Sequence, residues 1–173
     1  MILVSGIHGV GKSFFCDRMK EQLNIKHYSA SQLITARRNR GFSEDKHVPD
    51  IDDNQPLLIE SIKELRQKGG EFILDGHFCL LDASGRVTRI PSETYTALNP
   101  DRIILLTECP EIISERRKIR DGIQQDIREI TAFQSEEKAY AAEISDQLKI
   151  PFMVSNGADD IQRVIDWVKA GGQ

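Results

Sequence analysis

The chain has 173 residues, enough for one domain with a self-sufficient core. Its net charge of −4, from 23 basic and 27 acidic side chains, argues against a protein that coats polyanions, so nucleic acid is not an expected partner. The three cysteines, Cys16, Cys79 and Cys109, form no CxxC pair, which argues against a disulfide framework or a zinc site. No segment approaches the ~20 apolar residues of a membrane span. The apolar N-terminal stretch is short and lacks a basic leader, so a soluble, cytoplasmic protein without a membrane partner is expected.

Residues 1–5 are an apolar run that ends in a glycine-rich turn, as a buried parallel strand does. Residues 12–23 follow with helical periodicity in Phe14, Phe15, Met19 and Leu23. A short strand is expected over 25–28, then a helix capped by Ser29 or Ser31 and running to about Arg40. The polar stretch 41–55, next to Pro49 and Pro56, reads as a surface loop. Residues 57–68 read as a helix stopped by Gly69-Gly70.

A third buried strand is expected over 72–74, closed by Asp75-Gly76, and a loop over 83–91 around Ser84-Gly85. The run RIILL, 102–106, is a fourth strand. Helices follow over 110–120 and 123–148, the latter as one helix or two. Residues 151–154 are a fifth strand, and 158–170 a final amphipathic helix. Strands alternating with helices predict right-handed βαβ units, a parallel sheet covered on both faces, and a single α/β domain over 1–173.

Residues 6–13 read GIHGVGKS, the spacing of a phosphate-binding loop, between a buried strand and a helix. The chemistry needs that context. Gly6, Gly9 and Gly11 let backbone N–H groups of the loop, including those of His8 and Val10, point at phosphate oxygens, and the helix N-terminus adds a favourable dipole. Lys12 is expected to reach the β- and γ-phosphates, and Ser13 to place its hydroxyl on Mg²⁺. Phe14 follows directly and is grouped with the nucleotide-binding residues. Asp75, at the end of FILD, is expected to hold Mg²⁺ through water.

Gly76 stands where water-activating ATPases carry a second acid, and no NKxD motif is present, which points toward a kinase. Transfer of a phosphoryl group needs positive charge around it. The stretch ERRKIRDG supplies Arg116, Arg117 and Arg120, with Arg116 and Arg120 one helical turn apart. His77 is a candidate for contact with the acceptor or for a general base.

Together, GIHGVGKS, FILDGH, LNPDRIILL and the arginine cluster resemble the adenylate-kinase-like nucleoside monophosphate kinases. Within that group the chain is most similar to the short archaeal-type adenylate kinases and their eukaryotic nuclear relatives. The resemblance implies a three-layer fold around a five-stranded parallel sheet, an acceptor-binding segment at about 29–68 and a short lid at about 116–126. It implies ATP and Mg²⁺, a small-molecule acceptor, and Lys12, Arg120 and one of Arg116 or Arg117 around the moving phosphoryl group. The loop around Asn156 would lie near adenine. The acceptor-side arginine of common adenylate kinases is absent from Ser31-Gln32-Leu33-Ile34-Thr35, leaving Arg37 and Arg38 as candidates for the acceptor phosphate. His8 occupies a loop position where a small residue or proline is usual. A hydroxyl acceptor, or a regulatory ATPase with slow turnover, stays open at this stage, as does the oligomeric state.

Overall fold

The computed structural model describes residues 1–38, 51–82, 84–122 and 125–172. Five strands form one sheet in the order β2-β3-β1-β6-β7, and every neighbouring pair is parallel. They are β1 (Ile2–Ser5), β2 (Lys26–Ser29), β3 (Phe72–Asp75), β6 (Arg102–Leu106) and β7 (Phe152–Ser155). β1 and β3 are buried at every position, as expected for strands covered by helices on both faces.

The chain first builds outward from β1 to one side and then returns to the other. The strand order therefore reverses at β1, and the crevice at that reversal is where open α/β sheets bind ligands. The loop leaving β1 lies there. Asp75 pairs in register with Val4 and with Ser29, which places it at the same end of the sheet.

The helices are α1 (Lys12–Leu23), α2 (Ala30–Arg38), α3 (Ile51–Gln67), α4 (Ser92–Leu98), α5 (Pro110–Asp121), α6 (Ile127–Leu148) and α7 (Ile161–Lys169), the last entered through a 3₁₀ turn, Gly157–Asp160. Local chemistry sets their ends. Pro110 opens α5, where its missing N–H costs nothing, and Gly122, at φ 70°, closes it with its N–H on the Lys118 carbonyl. Asp126 caps α6 by accepting from the Arg128 N–H at 2.7 Å. The expected 123–148 helix is seen as one helix over Ile127–Leu148, and residues 123 and 124 lie outside the described residues.

Three expectations are corrected. Residues 51–55, read as loop, are the first turn and more of α3, and Pro56 lies inside that helix. So near the start, a proline removes at most one helix hydrogen bond, which is why it does not terminate the helix. The rest of that expected loop, 41–50, lies outside the described residues.

The stretch 83–91 is not simply a loop. β4 (Cys79–Leu81) and β5 (Val87–Arg89) pair as an antiparallel hairpin. Its turn is held by the Asp82 carboxylate, which accepts from the N–H groups of Ser84 (2.8 Å) and Arg86 (2.9 Å). Strands of three residues are too short for alternation to be legible. Third, no element was expected between the hairpin and β6, yet α4 packs there. Phe78 and Tyr95 stack with centroids 4.5 Å apart, and Tyr140 of α6 meets both edge-on. Among the described residues no helix is long and apolar enough to cross a membrane.

Candidate functional site

The loop between β1 and α1 needs glycine for two separate reasons. Gly6 has φ 142°, and a Cβ there would lie 2.7 Å from the Leu106 carbonyl oxygen. Gly9 has φ 84°, and its Cβ would press on the Arg117 side chain at 3.1 Å. The loop is therefore packed against β6 on one side and α5 on the other, and its backbone faces outward for a ligand. Phe14 is 61% exposed beside it.

Lys12 Nζ donates to the carbonyls of Gly6 (2.6 Å) and Ile7 (3.4 Å). Burial pulls the Lys12 pKa down to about 8, against the opposing pull of the Glu137 and Asp75 carboxylates. The glycine-lined backbone, the Lys12 ammonium and the Ser13 hydroxyl fit the triphosphate of Mg-ATP. They open on a cavity of about 320 Å³ that Asp75, Arg116 and Arg120 also line.

The arginine cluster divides in two. Arg116 and Arg120 face this cavity. Arg116 also donates to the Val10 carbonyl at 3.2 Å and pairs with Glu108 at 3.1 Å, while Arg120 pairs with Asp121 at 2.7 Å. Arg117 is buried and turned inward. Its Nε and Nη2 donate to the His8 carbonyl at 2.8 and 2.5 Å, and Nη1 reaches Gln125. Of the two adjacent candidates, Arg116 faces the cavity and Arg117 braces the loop from behind.

Asp75 accepts a hydrogen bond of 2.8 Å from His27 Nε2, and His27 Nδ1 faces Asp17 at 3.2 Å. The bond to Asp75, more than the one to Asp17, raises the His27 pKa. Among the described residues Cys16, His27 and Asp75 form a group whose ligand atoms lie within 4.8 Å of one another. The oxygens of Ser13 and Asp75 are the hard donors that suit Mg²⁺.

The rings of His8 and His77 lie 4.2 Å apart, centroid to centroid. His8 keeps an exposed surface, yet the packed loop around it desolvates the ring and, reinforced by Lys12, lowers its pKa to about 4; burial lowers that of His77. His77 Nδ1 is buried with no hydrogen-bond partner among the described residues. The Tyr95 hydroxyl donates to the His77 carbonyl at 2.7 Å, anchoring this turn on α4.

An imidazole whose folded pKa lies below the usual 6.5 binds fewer protons when folded. The stability it contributes is complete above that pH and is lost as pH falls toward about 4. His27, with its raised pKa, acts in the opposite sense. His8→Gln should therefore show a shallower fall of melting temperature on acidification over this range than the wild type, as followed by thermal denaturation. An unchanged slope would mean that His8 titrates normally.

A second cavity, of about 290 Å³, lies between α2, α3, the end of β3 and α4. Ile34, Leu58, Leu80, Ile90 and Leu98 make its apolar walls, and Arg38, Asn54 and Thr94 add polar groups. Arg38 donates to the Asn54 side chain. Arg37 is not on this wall. Its guanidinium is committed to Glu60 and Glu64 of α3, both at 2.8 Å. Neighbouring helical residues point ~100° apart, and here the two arginines take different directions. Of these two candidates for the acceptor phosphate, Arg38 lines the cavity and Arg37 does not. The two cavities share His8, Ser29, Ser31, Asp75 and His77.

Asn156 is exposed at the end of β7, where its Oδ1 accepts from the Thr107 hydroxyl at 3.0 Å and its N–H is held by Asp160 at 2.8 Å. It lines neither cavity. Glu137, which sequence reasoning missed, is fully buried beneath the site on α6. Its carboxylate accepts from the N–H groups of Gly6, Phe78 and Cys79. Burial raises its pKa, while these N–H groups and Lys12 pull it down. The only sequence signal was an acid on an apolar stripe, between Phe133 and Tyr140.

A protein-family profile described as an AAA domain matches residues 5–134. A Methanocaldococcus jannaschii protein provisionally named adenylate kinase is 26% identical over 97% of this chain and 93% of its own length. An adenylate kinase of Pyrobaculum aerophilum is 27% identical over 68% of this chain and 62% of its own, and one of Sulfurisphaera tokodaii 29% identical over 67% of each. Among solved structures, an Aquifex aeolicus shikimate kinase superposes with a TM-score of 0.56 at 17% identity, over 98% of this chain and 93% of that one. A Sinorhizobium meliloti gluconokinase gives 0.53 at 16%, over 98% and 89%. These two structures share the fold.

Proposed function

Because the chain belongs to the P-loop family described as an AAA domain and is adenylate-kinase-like in sequence, we propose that it is an ATP-dependent kinase whose acceptor is a nucleoside monophosphate. One observation carries the reading: the phosphate-loop cavity and the second cavity meet at a common wall of His8, Ser29, Ser31, Asp75 and His77. A γ-phosphoryl group held by the loop would face an acceptor seated in the second cavity, as direct in-line transfer requires.

Lys12, Arg116 and Arg120 would surround the moving group with positive charge. The loop backbone would orient the triphosphate, and Ser13 and Asp75 would hold Mg²⁺, which when bound neutralises charge on the phosphates. Arg38 would meet the acceptor phosphate, and the apolar slot of Ile34, Leu58 and Leu98 would take its base. The acceptor-binding segment of this proposal is α2 and α3, joined by the β4–β5 hairpin and α4. The lid of this proposal is the stretch of about 116–126, which begins in the C-terminal half of α5. A cytoplasmic location is part of the same proposal.

One observation favours a second reading. The His77 imidazole lines the common wall and burial holds its pKa well below the usual 6.5, so the ring is neutral there and suited to take a proton from a hydroxyl acceptor. A phosphate acceptor is already ionised and needs no such base. The experiment is to incubate the pure protein with Mg-ATP and, in turn, AMP, CMP, GMP, UMP and a nucleoside mixture, following ADP. The expected result is ADP formation that depends on one nucleoside monophosphate. Dependence on a nucleoside would favour the second reading. Equal ADP formation without any acceptor would replace the kinase by an ATPase.

A further inference from the structure

The Glu137 carboxylate is fully buried, and it touches both halves of the site at once. Oε1 accepts from the Gly6 N–H at 3.2 Å and the Phe78 N–H at 3.0 Å. Oε2 accepts from Phe78 at 3.1 Å and from Cys79 at 2.6 Å. Gly6 is the first residue of the phosphate-binding loop. Phe78 and Cys79 directly follow His77 on the wall shared by the two cavities. These segments lie more than seventy residues apart in sequence, and a single side chain spans the gap between them.

We propose that Glu137 is a positioning residue, an ionised carboxylate that holds the phosphate-binding loop and the Asp75–Cys79 turn at a fixed separation. The proposal rests on the kinase reading above only in taking turnover as its most sensitive readout.

The hydrogen-bond inventory supports the ionised form. All three neighbours are N–H donors, and an ionised carboxylate only accepts. A protonated acid would turn an O–H against one of them. Without Glu137 these three backbone donors would be left beneath the site with no acceptor, at the cost of unsatisfied buried groups. A buried carboxylate in turn needs a nearby cation, and Lys12 supplies that charge. Apolar packing does not explain the residue. The rest of the buried stripe of α6 is Ile130, Phe133, Tyr140, Ala141, Ile144 and Ser145, into which a leucine would pack without a desolvation cost.

Glu137→Gln keeps the length and volume of the side chain but replaces one acceptor oxygen with a donor. Either Gly6 or Cys79 then faces an N–H group instead of an oxygen. The expected outcome is a folded protein whose kcat falls by about 10²-fold, the scale of a ~1 Å misplacement of reacting groups. The KM values for ATP and acceptor should move far less. Amide hydrogen exchange should speed up at Gly6, Phe78 and Cys79 while Leu3 and Leu74, in the strands beside them, keep their protection.

A kcat within about twofold of wild type, or an even loss of protection across the sheet, would overturn the proposal. If the variant does not fold, the wild type still decides. The ¹³C shift of the Glu137 carboxyl at neutral pH must be that of a carboxylate, and a protonated acid would refute the assignment. Should the wild type show no acceptor-dependent turnover, the kinase reading fails alone. The exchange pattern and Mg-ATP affinity of Glu137→Gln then judge the positioning role.

Discussion

Lys12→Ala should abolish nearly all phosphoryl transfer, lowering kcat by about 10³-fold, the upper range for removing one preorganised donor from the place where charge develops. The Lys12 ammonium is the cation seated on the loop itself, bonded to the carbonyls of Gly6 and Ile7. Arg116 and Arg120 reach the same cavity from α5, already paired with Glu108 and Asp121. Neither can take the place of Lys12 without leaving its partner. Steady-state kinetics at saturating ATP and acceptor is the measurement. Lys12 also supplies the positive charge near the buried Glu137 carboxylate, so the change should lower the melting temperature as well, and turnover is read on protein shown to be folded. A folded Lys12→Ala variant that retains wild-type turnover would remove the loop lysine from the mechanism. Arg120→Ala should follow in the same direction with a smaller loss.

Lys12 was legible in the sequence because its information is local. Glycine, lysine and serine at fixed spacing state the loop within eight residues, and one helical turn between Arg116 and Arg120 states that they share a face. β1, β3 and β6 were legible for a similar reason, since a strand buried on both faces is a continuous apolar run such as ILVS or RIILL, whereas the partly exposed edge strand β2, KHYS, carries no such run. What escaped depends on contacts between distant residues. Arg37 and Arg38 are equivalent candidates until Glu60 and Glu64 arrive on α3 to claim one of them. The Asp75–His27 bond requires the pairing of β2 with β3 across 48 residues. Glu137 reaches Phe78 across 59 residues and left only a charge on an apolar stripe. The β4–β5 hairpin and α4 are too short for periodicity, and their stability comes from Phe78, Tyr95 and Tyr140 packing against one another.

Asp75→Asn should cost about 10²- to 10³-fold in kcat, again the range for one electrostatic contact that acts in the transition state. The argument combines position and partner. Asp75 ends β3 on the wall shared by both cavities, and its side chain is only 12% exposed, so little solvent screens its charge. An asparagine keeps the shape and can still meet His27, so the fold is retained. It removes the negative charge that would hold Mg²⁺, so the Mg²⁺ concentration giving half-maximal rate should rise together with the fall in kcat. The same substitution has a signature in stability. His27 has its pKa raised mainly by the bond to Asp75. Its contribution is complete below pH 6.5, the unperturbed value, and is lost as pH rises through the raised one. In Asp75→Asn that alkaline loss should flatten, because the anion that favours the imidazolium is gone. Thermal denaturation across neutral pH reads this effect without any turnover. If the slope persists while kcat falls, Asp75 acts on the phosphates but does not set the charge of His27. If both are unchanged, the carboxylate is neither the metal's holder nor the imidazole's partner.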